Sequence, residues 1–107
     1  MMKLYQINLS REEVDAANRG ENFPKLKASR DAMCFGEFTA REHYSHVADI
    51  ETTDLDHAFE IGNVGPEAKI TRHERMHSIS VGDVLVTSYG QAFIVQSVGF
   101  APVANWS

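Results

Sequence analysis

The chain reads as an α+β domain: a small antiparallel sheet ending in a C-terminal β-hairpin, with two or three short helices packed on one face. Three observations predict this. Apolar residues alternate at period two near the N-terminus, around residue 46 and after residue 84. Capping residues precede apolar stripes at residues 10 and 54, and Gly, Asn and Pro clusters separate the segments. With 107 residues, 43% of them hydrophobic and 23% charged, there is material for one core, and residues 1–107 form a single domain.

Residues 3–9 place Tyr5, Ile7 and Leu9 on one side and Gln6 and Asn8 on the other, the pattern of a half-buried strand. Ser10 and Glu13 have capping-box spacing, and Gly20 sits where a left-handed C-cap is expected, so a short helix runs from about Arg11 to Arg19. Asn22-Phe23-Pro24 breaks the chain, and Leu26, Ala28, Ala32, Met33 and Phe35 give a looser helical pattern before Gly36. Cys34, between Met33 and Phe35, reads as a small buried side chain.

Tyr44 to Ile50 alternates as a second strand, and Thr52-Thr53-Asp54 caps a helix over residues 54–61 with an apolar stripe of Leu55, Ala58, Phe59 and Ile61. Residues 67–80 are too polar to assign by periodicity. Val81-Gly82-Asp83 then turns into the strand Val84–Ser88, which Tyr89-Gly90-Gln91 joins to a strand over 92–98. No charged side chain follows Asp83, but Thr87, Ser88, Gln91, Gln96 and Ser97 interrupt the run, so it reads as buried strands and not as a membrane span.

The formal net charge is −5, from 10 basic and 15 acidic residues, all of it in the first 60 residues. That sign disfavours non-specific binding to phosphate backbones. One cysteine cannot form an internal disulfide, and no basic-then-apolar leader is read at the N-terminus, so a cytoplasmic location is expected.

Several motifs invite chemistry. His73-Glu74-Arg75-Met76-His77 matches the His-Glu-x-x-His pattern of zinc hydrolases, yet beyond His77 the sequence offers only Asp83 as a third ligand. Glu42, His43 and His46 have metal-like spacing on a helix, and His57, His73 and His77 could join them, but on a strand His43 and His46 point to opposite faces, so a joint site is not expected. Asp49, Glu51, Asp54 and Asp56, with Glu67-Ala68-Lys69, suggest part of a metal-dependent nuclease, but two of these acids open a helix and Glu67 follows a Gly-Pro turn. The expectation is therefore no catalytic residue, no metal and no cofactor.

The segment Arg75-Met76-His77-Ser78-Ile79-Ser80-Val81-Gly82-Asp83-Val84, followed by Phe93 to Phe100, resembles small proteins of bacteriophages and mobile elements, including the YodL-type domain. Phe59-Glu60-Ile61-Gly62-Asn63 upstream is also similar to these proteins. The resemblance covers about half the chain and implies host takeover, evasion of defence or accessory DNA metabolism; it supplies no catalytic residues.

Gly82 and Asp83 are expected to shape a turn, Gly82 through positive φ and Asp83 by accepting backbone hydrogen bonds. Arg72, Arg75, His77, Ser78 and Ser80 form a candidate binding face, the only basic concentration beside an acidic surface. Tyr89, Phe93, Phe100 and Trp106 are candidate interface residues. The expected function is non-catalytic binding of a host or phage macromolecule, a protein first, in the host cytoplasm. A homodimer would use the same surface. The alternatives are a nucleic-acid module using the Arg72 to Ser80 loop and, behind it, a zinc hydrolase through His73, Glu74 and His77.

Overall fold

β1 (Met2–Gln6) runs through the middle of the sheet in the computed structural model, which describes residues 1–106. It is followed by α1 (Arg11–Asn18), α2 (Pro24–Phe35), β2 (Ser45–Ile50), α3 (Leu55–Val64) and β3 (Ile70–Arg72). β4 (Val84–Val86), β5 (Ala92–Val95) and β6 (Phe100–Val103) complete the chain. Among the described residues the six strands form one antiparallel sheet in the order β3-β2-β1-β4-β5-β6. The sheet is thus two three-stranded meanders joined where Lys3, Leu4 and Tyr5 of β1 face Val86, Leu85 and Val84 of β4.

Each face of the sheet carries its own core. On one, Met2, Leu4, Ala48, Ile50, Leu85 and Val95 pack with Ala58 and Ile61 of α3 and with Ile79. On the other, Tyr5, Val84, Val86, Ala92 and Ile94 are covered by Tyr44 and Trp106, with Phe38 beside them. The strands from the middle of the sheet are therefore apolar on both sides, as sheets covered on both faces are. No helix among the described residues is long and apolar enough to cross a membrane.

Asp54 caps α3 by accepting from the His57 backbone N–H at 2.9 Å. α2 starts at Pro24, where the missing N–H costs nothing, and ends at Gly36 in the left-handed region. It buries Leu26, Ala28 and Ala32 at the end of the sheet, with Ala32 against Gly82. Its last turn is exposed: Cys34 lies at the surface with Met33 and Phe35, contrary to the buried cysteine the sequence suggests, because the buried stripe of α2 runs through Ala28 and Ala32.

α1 buries no residue, so local interactions hold it. Ser10 Oγ accepts from the Glu13 N–H at 3.1 Å and Glu13 Oε1 accepts from the Ser10 N–H at 2.8 Å, with Lys25 Nζ donating to the same oxygen. The Ser10 backbone bond, helped by Lys25, outweighs the opposing effect of burial and holds the Glu13 carboxyl below its usual range. Ser10→Ala is expected to cost about 1 kcal/mol, the usual loss for a cap. Hydrogen exchange checks it: α1 amides should exchange faster while β1 and β4 amides keep their protection.

Several boundaries differ from the sequence pattern, among them α3, which runs on to Val64, and β4, which stops at Val86. β1 stops at Gln6, and Gln6 is buried on the core side because its amide serves the turn before β4. The polar stretch 67–80 contains β3, a three-residue edge strand too short to show a period. The segment over 92–98 is strand only to Val95; a turn at Gln96–Gly99, closed by the Gln96 N–H to the Gly99 carbonyl at 3.0 Å, leads into β6.

Candidate functional site

The turn before β4 is built around Asp83. Its Oδ2 accepts from the Ser80 N–H and from Gln6 Nε2, each at 3.0 Å. Gln6 Nε2 also donates to the His77 carbonyl at 2.9 Å, and Gln6 Oε1 accepts from the His77 N–H at 3.2 Å. Both amide hydrogens of Gln6 are then used, so His77 Nδ1, 2.8 Å from the Ser78 carbonyl, is the protonated nitrogen and donates there. Burial pushes Asp83 up to about 6, although the Ser80 and Gln6 hydrogen bonds and the neighbouring His77 favour the carboxylate.

Gly82 is held from both sides. Its N–H donates to the Val95 carbonyl at 2.8 Å and its carbonyl accepts from Tyr44 Oη at 2.6 Å. Burial, with the Asp83 charge second, raises the Tyr44 hydroxyl well above the usual tyrosine range, so it is a permanent donor. Gly82 and Asp83 together therefore tie β1, β4, β5 and the residue preceding β2 to one corner.

The five residues of the candidate basic face are all exposed, but each also makes hydrogen bonds within the chain. Arg72 is paired with Glu67 through both guanidinium nitrogens, which draws Glu67 down and Arg72 up in pKa. Arg75 Nη2 donates to the Leu9 carbonyl at 3.0 Å, and its own carbonyl accepts from Asn8 Nδ2 at 2.7 Å. His77 is turned into the Asp83 corner, Ser80 gives it a backbone N–H, and Ser78 gives it a carbonyl.

The candidate interface divides in the same way. Tyr89 is exposed at the β4–β5 turn, and Phe93 and Phe100 are half-buried, Phe100 against the α3-side core. Trp106 is a core residue, only 6% exposed. Its ring meets Tyr5 edge-on at 4.7 Å and Tyr44 at 5.7 Å, with the Arg41 guanidinium 5.0 Å above it. It therefore cannot offer an interface.

The His-Glu-x-x-His spacing also fails as a zinc site. Residues 73–80 form no helix, so His73 and His77 are not stacked one turn apart. His73 Nε2 instead donates to Asp49 Oδ2 at 2.9 Å, while His46 Nε2 lies 2.7 Å from Asp49 Oδ1. The potential ligand atoms of His46, Asp49 and His73 all fall within 4.8 Å of one another.

A β-bulge makes this convergence. The β1–β2 register passes from Leu4 opposite Ala48 to Tyr5 opposite His46, leaving Val47 as the extra residue. Val47 and Ala48 are then both buried in the α3-side core, and His46 and Asp49 share the opposite face although they are three residues apart. The Val47 carbonyl accepts from the His73 N–H at 2.8 Å and the Glu74 N–H at 3.2 Å, which fixes the chain beyond β3 beside Asp49. Tyr5 stacks on His46 with centroids 5.1 Å apart and an interplanar angle of 24°. Burial alone would raise Asp49, but the hydrogen bonds and partial charges of His73 and His46 outweigh it and hold the carboxyl below its usual range.

Sequence reasoning found the histidines but not their partner. In a regular strand residues three apart point to opposite faces, and nothing in the sequence announces the bulge that cancels this. Fold and site together define a single-sheet α+β domain with a tightly bonded turn and a separate imidazole–carboxylate cluster. Comparison with protein-family models, with curated proteins and with solved structures returns no match.

Proposed function

We propose that this chain is a non-catalytic binding domain of the phage accessory type its Ser-Val-Gly-Asp motif resembles, engaging a host or phage protein in the host cytoplasm. The observation that carries this reading is an exposed apolar surface where α2 ends. Met33 is 64% and Phe35 69% exposed there. Gly36 and Gln96 touch, with Gln96 Nε2 donating to the Gly36 carbonyl at 3.4 Å, and this brings the α2 terminus beside the β5–β6 turn carrying Val98, 89% exposed. Neighbouring large apolar side chains gain about 25 cal/mol per Å² when a partner removes them from water. Arg72 and Arg75, the cations a nucleic-acid ligand would use, are already hydrogen-bonded within the chain.

The test uses the single cysteine. Cys34 is exposed between Met33 and Phe35, so a photo-crosslinker attached to its thiol sits inside the surface. Irradiation in nuclease-treated bacterial lysate is expected to trap one protein, which the chain with Met33→Ser and Phe35→Ser should no longer trap despite an unchanged melting temperature. Equal trapping by that variant, or capture that nuclease abolishes, would overturn the reading. Trapping of a second copy of the chain would replace it with a homodimer.

A further inference from the structure

We infer that His46, Asp49 and His73 bind a divalent transition-metal ion of the Zn²⁺ class. This departs from the sequence expectation of no metal and stands independently of the binding function proposed above. Both imidazole Nε2 atoms already address one carboxylate, His46 the Oδ1 atom at 2.7 Å and His73 the Oδ2 atom at 2.9 Å. These are hydrogen-bond lengths, and loss of the Nε2 protons turns the same atoms into ligands.

An ion with bonds of about 2.0–2.2 Å needs its ligand atoms a little over 3 Å apart. The three residues come close to that, with one ligand atom from each lying within 4.8 Å of the others. The remaining closure falls on His73, which lies just past the edge strand and is the most exposed of the three. His46 is the fixed member, stacked on Tyr5 and set in the bulge, while the Val47 carbonyl holds the His73 backbone in place.

The donor set decides the class of ion. Two imidazoles and one carboxylate suit Zn²⁺, Co²⁺ or Ni²⁺, whereas Ca²⁺ and Mg²⁺ prefer shells of oxygen atoms. All three side chains are partly exposed, so water can complete the shell. Lys3 is the cross-strand neighbour of Asp49, yet among the described residues no ion pair joins them, and the carboxylate is left to the two histidines. A bound ion would clamp the segment after β3 to β2, reinforcing the hydrogen bonds that Val47 and Asp49 make there.

The experiment uses the untagged full chain, stripped with chelator and titrated at neutral pH with Zn²⁺ alone and then with Co²⁺ alone. The expected result is saturable uptake of one equivalent and a Co²⁺ visible spectrum of low-coordinate nitrogen and oxygen ligation that Zn²⁺ abolishes. Nuclear magnetic resonance of the wild-type chain should show Zn²⁺ shifting the ring signals of His46 and His73 before those of His43, His57 and His77. His73→Gln and Asp49→Asn should weaken uptake at least ~100-fold, since loss of a mere outer-shell partner already costs about 10–100-fold. His57→Ala should leave it unchanged. Absence of saturable uptake, ring shifts at other histidines, undiminished uptake by His73→Gln, or displacement by excess Mg²⁺ would each overturn the assignment. The ring-shift measurement needs no variant, so a substitution that failed to fold would not remove the test.

Discussion

Gly82→Ala is expected to destabilise the domain by about 4 kcal/mol, combining backbone strain of ~1–3 kcal/mol with overpacking of similar size. Gly82 has φ +93°, and an added Cβ would lie 2.5 Å from the Ala32 carbonyl carbon and 2.6 Å from its oxygen. Those are helix backbone atoms, so no side-chain rotation relieves the clash. The residue cannot retreat either, because Val95 holds its N–H and Tyr44 its carbonyl. A small domain has only about 5–15 kcal/mol in total, so the variant should unfold at a much lower urea concentration or fail to accumulate. Gly90→Ala is the control. Its φ is +83° and an added Cβ would meet nothing within 4 Å, so it carries the backbone strain of ~1–3 kcal/mol without the clash. Equal urea midpoints for Gly82→Ala and wild type would refute the account of this corner.

Asp83→Ala should cost about 3 kcal/mol at neutral pH, because it strands the Ser80 N–H and one Gln6 amide hydrogen in a buried place at about 1–3 kcal/mol each. Asp83→Asn should recover most of that loss. Both hydrogen bonds converge on one oxygen, so a single amide oxygen can receive them, and the buried charge disappears. The wild-type pH profile follows from the same burial. A carboxyl raised from 3.8 to about 6 binds its proton more tightly when folded. Its contribution is fully present below pH 4 and is lost as pH rises through 6, a change of roughly 3 kcal/mol at 1.36 kcal/mol per pH unit. Asp49, Glu13 and Glu67 are lowered, so their contribution has the opposite sign and is lost only as pH falls below about 4. Urea unfolding at pH 5 and pH 7.5 separates them. Wild type should be more stable at pH 5, and Asp83→Asn should lose that slope; an unchanged slope in the variant would mean another group is responsible.

What was legible in the sequence followed the strength of local signals. α1 was visible from Ser10 and Glu13, α3 from Asp54 and its stripe, and the β4–β5 hairpin from Tyr89-Gly90-Gln91, since capping and turn chemistry act over a few residues. β3 and β6 were hidden because a three-residue edge strand has no period and Pro102 argues against a strand, though an edge position tolerates it. Gln6 was misplaced because its polarity suggests solvent, while its true partners lie more than seventy residues away. The imidazole–carboxylate cluster depended on a register shift between distant strands, information that no window along the chain contains.

The seam between the two meanders sets the order in which a growing chain can finish folding. β1 leaves a ribosome well before its neighbour β4, which is made only after all three helices and the whole of β2 and β3. Until then one long side of β1 has no hydrogen-bonding partner, and Tyr5 lacks Val84 opposite and Trp106 above it. Long-range pairings of this kind are slow to form. Trp106, made later still, therefore closes a core whose strand β1 has been waiting for it.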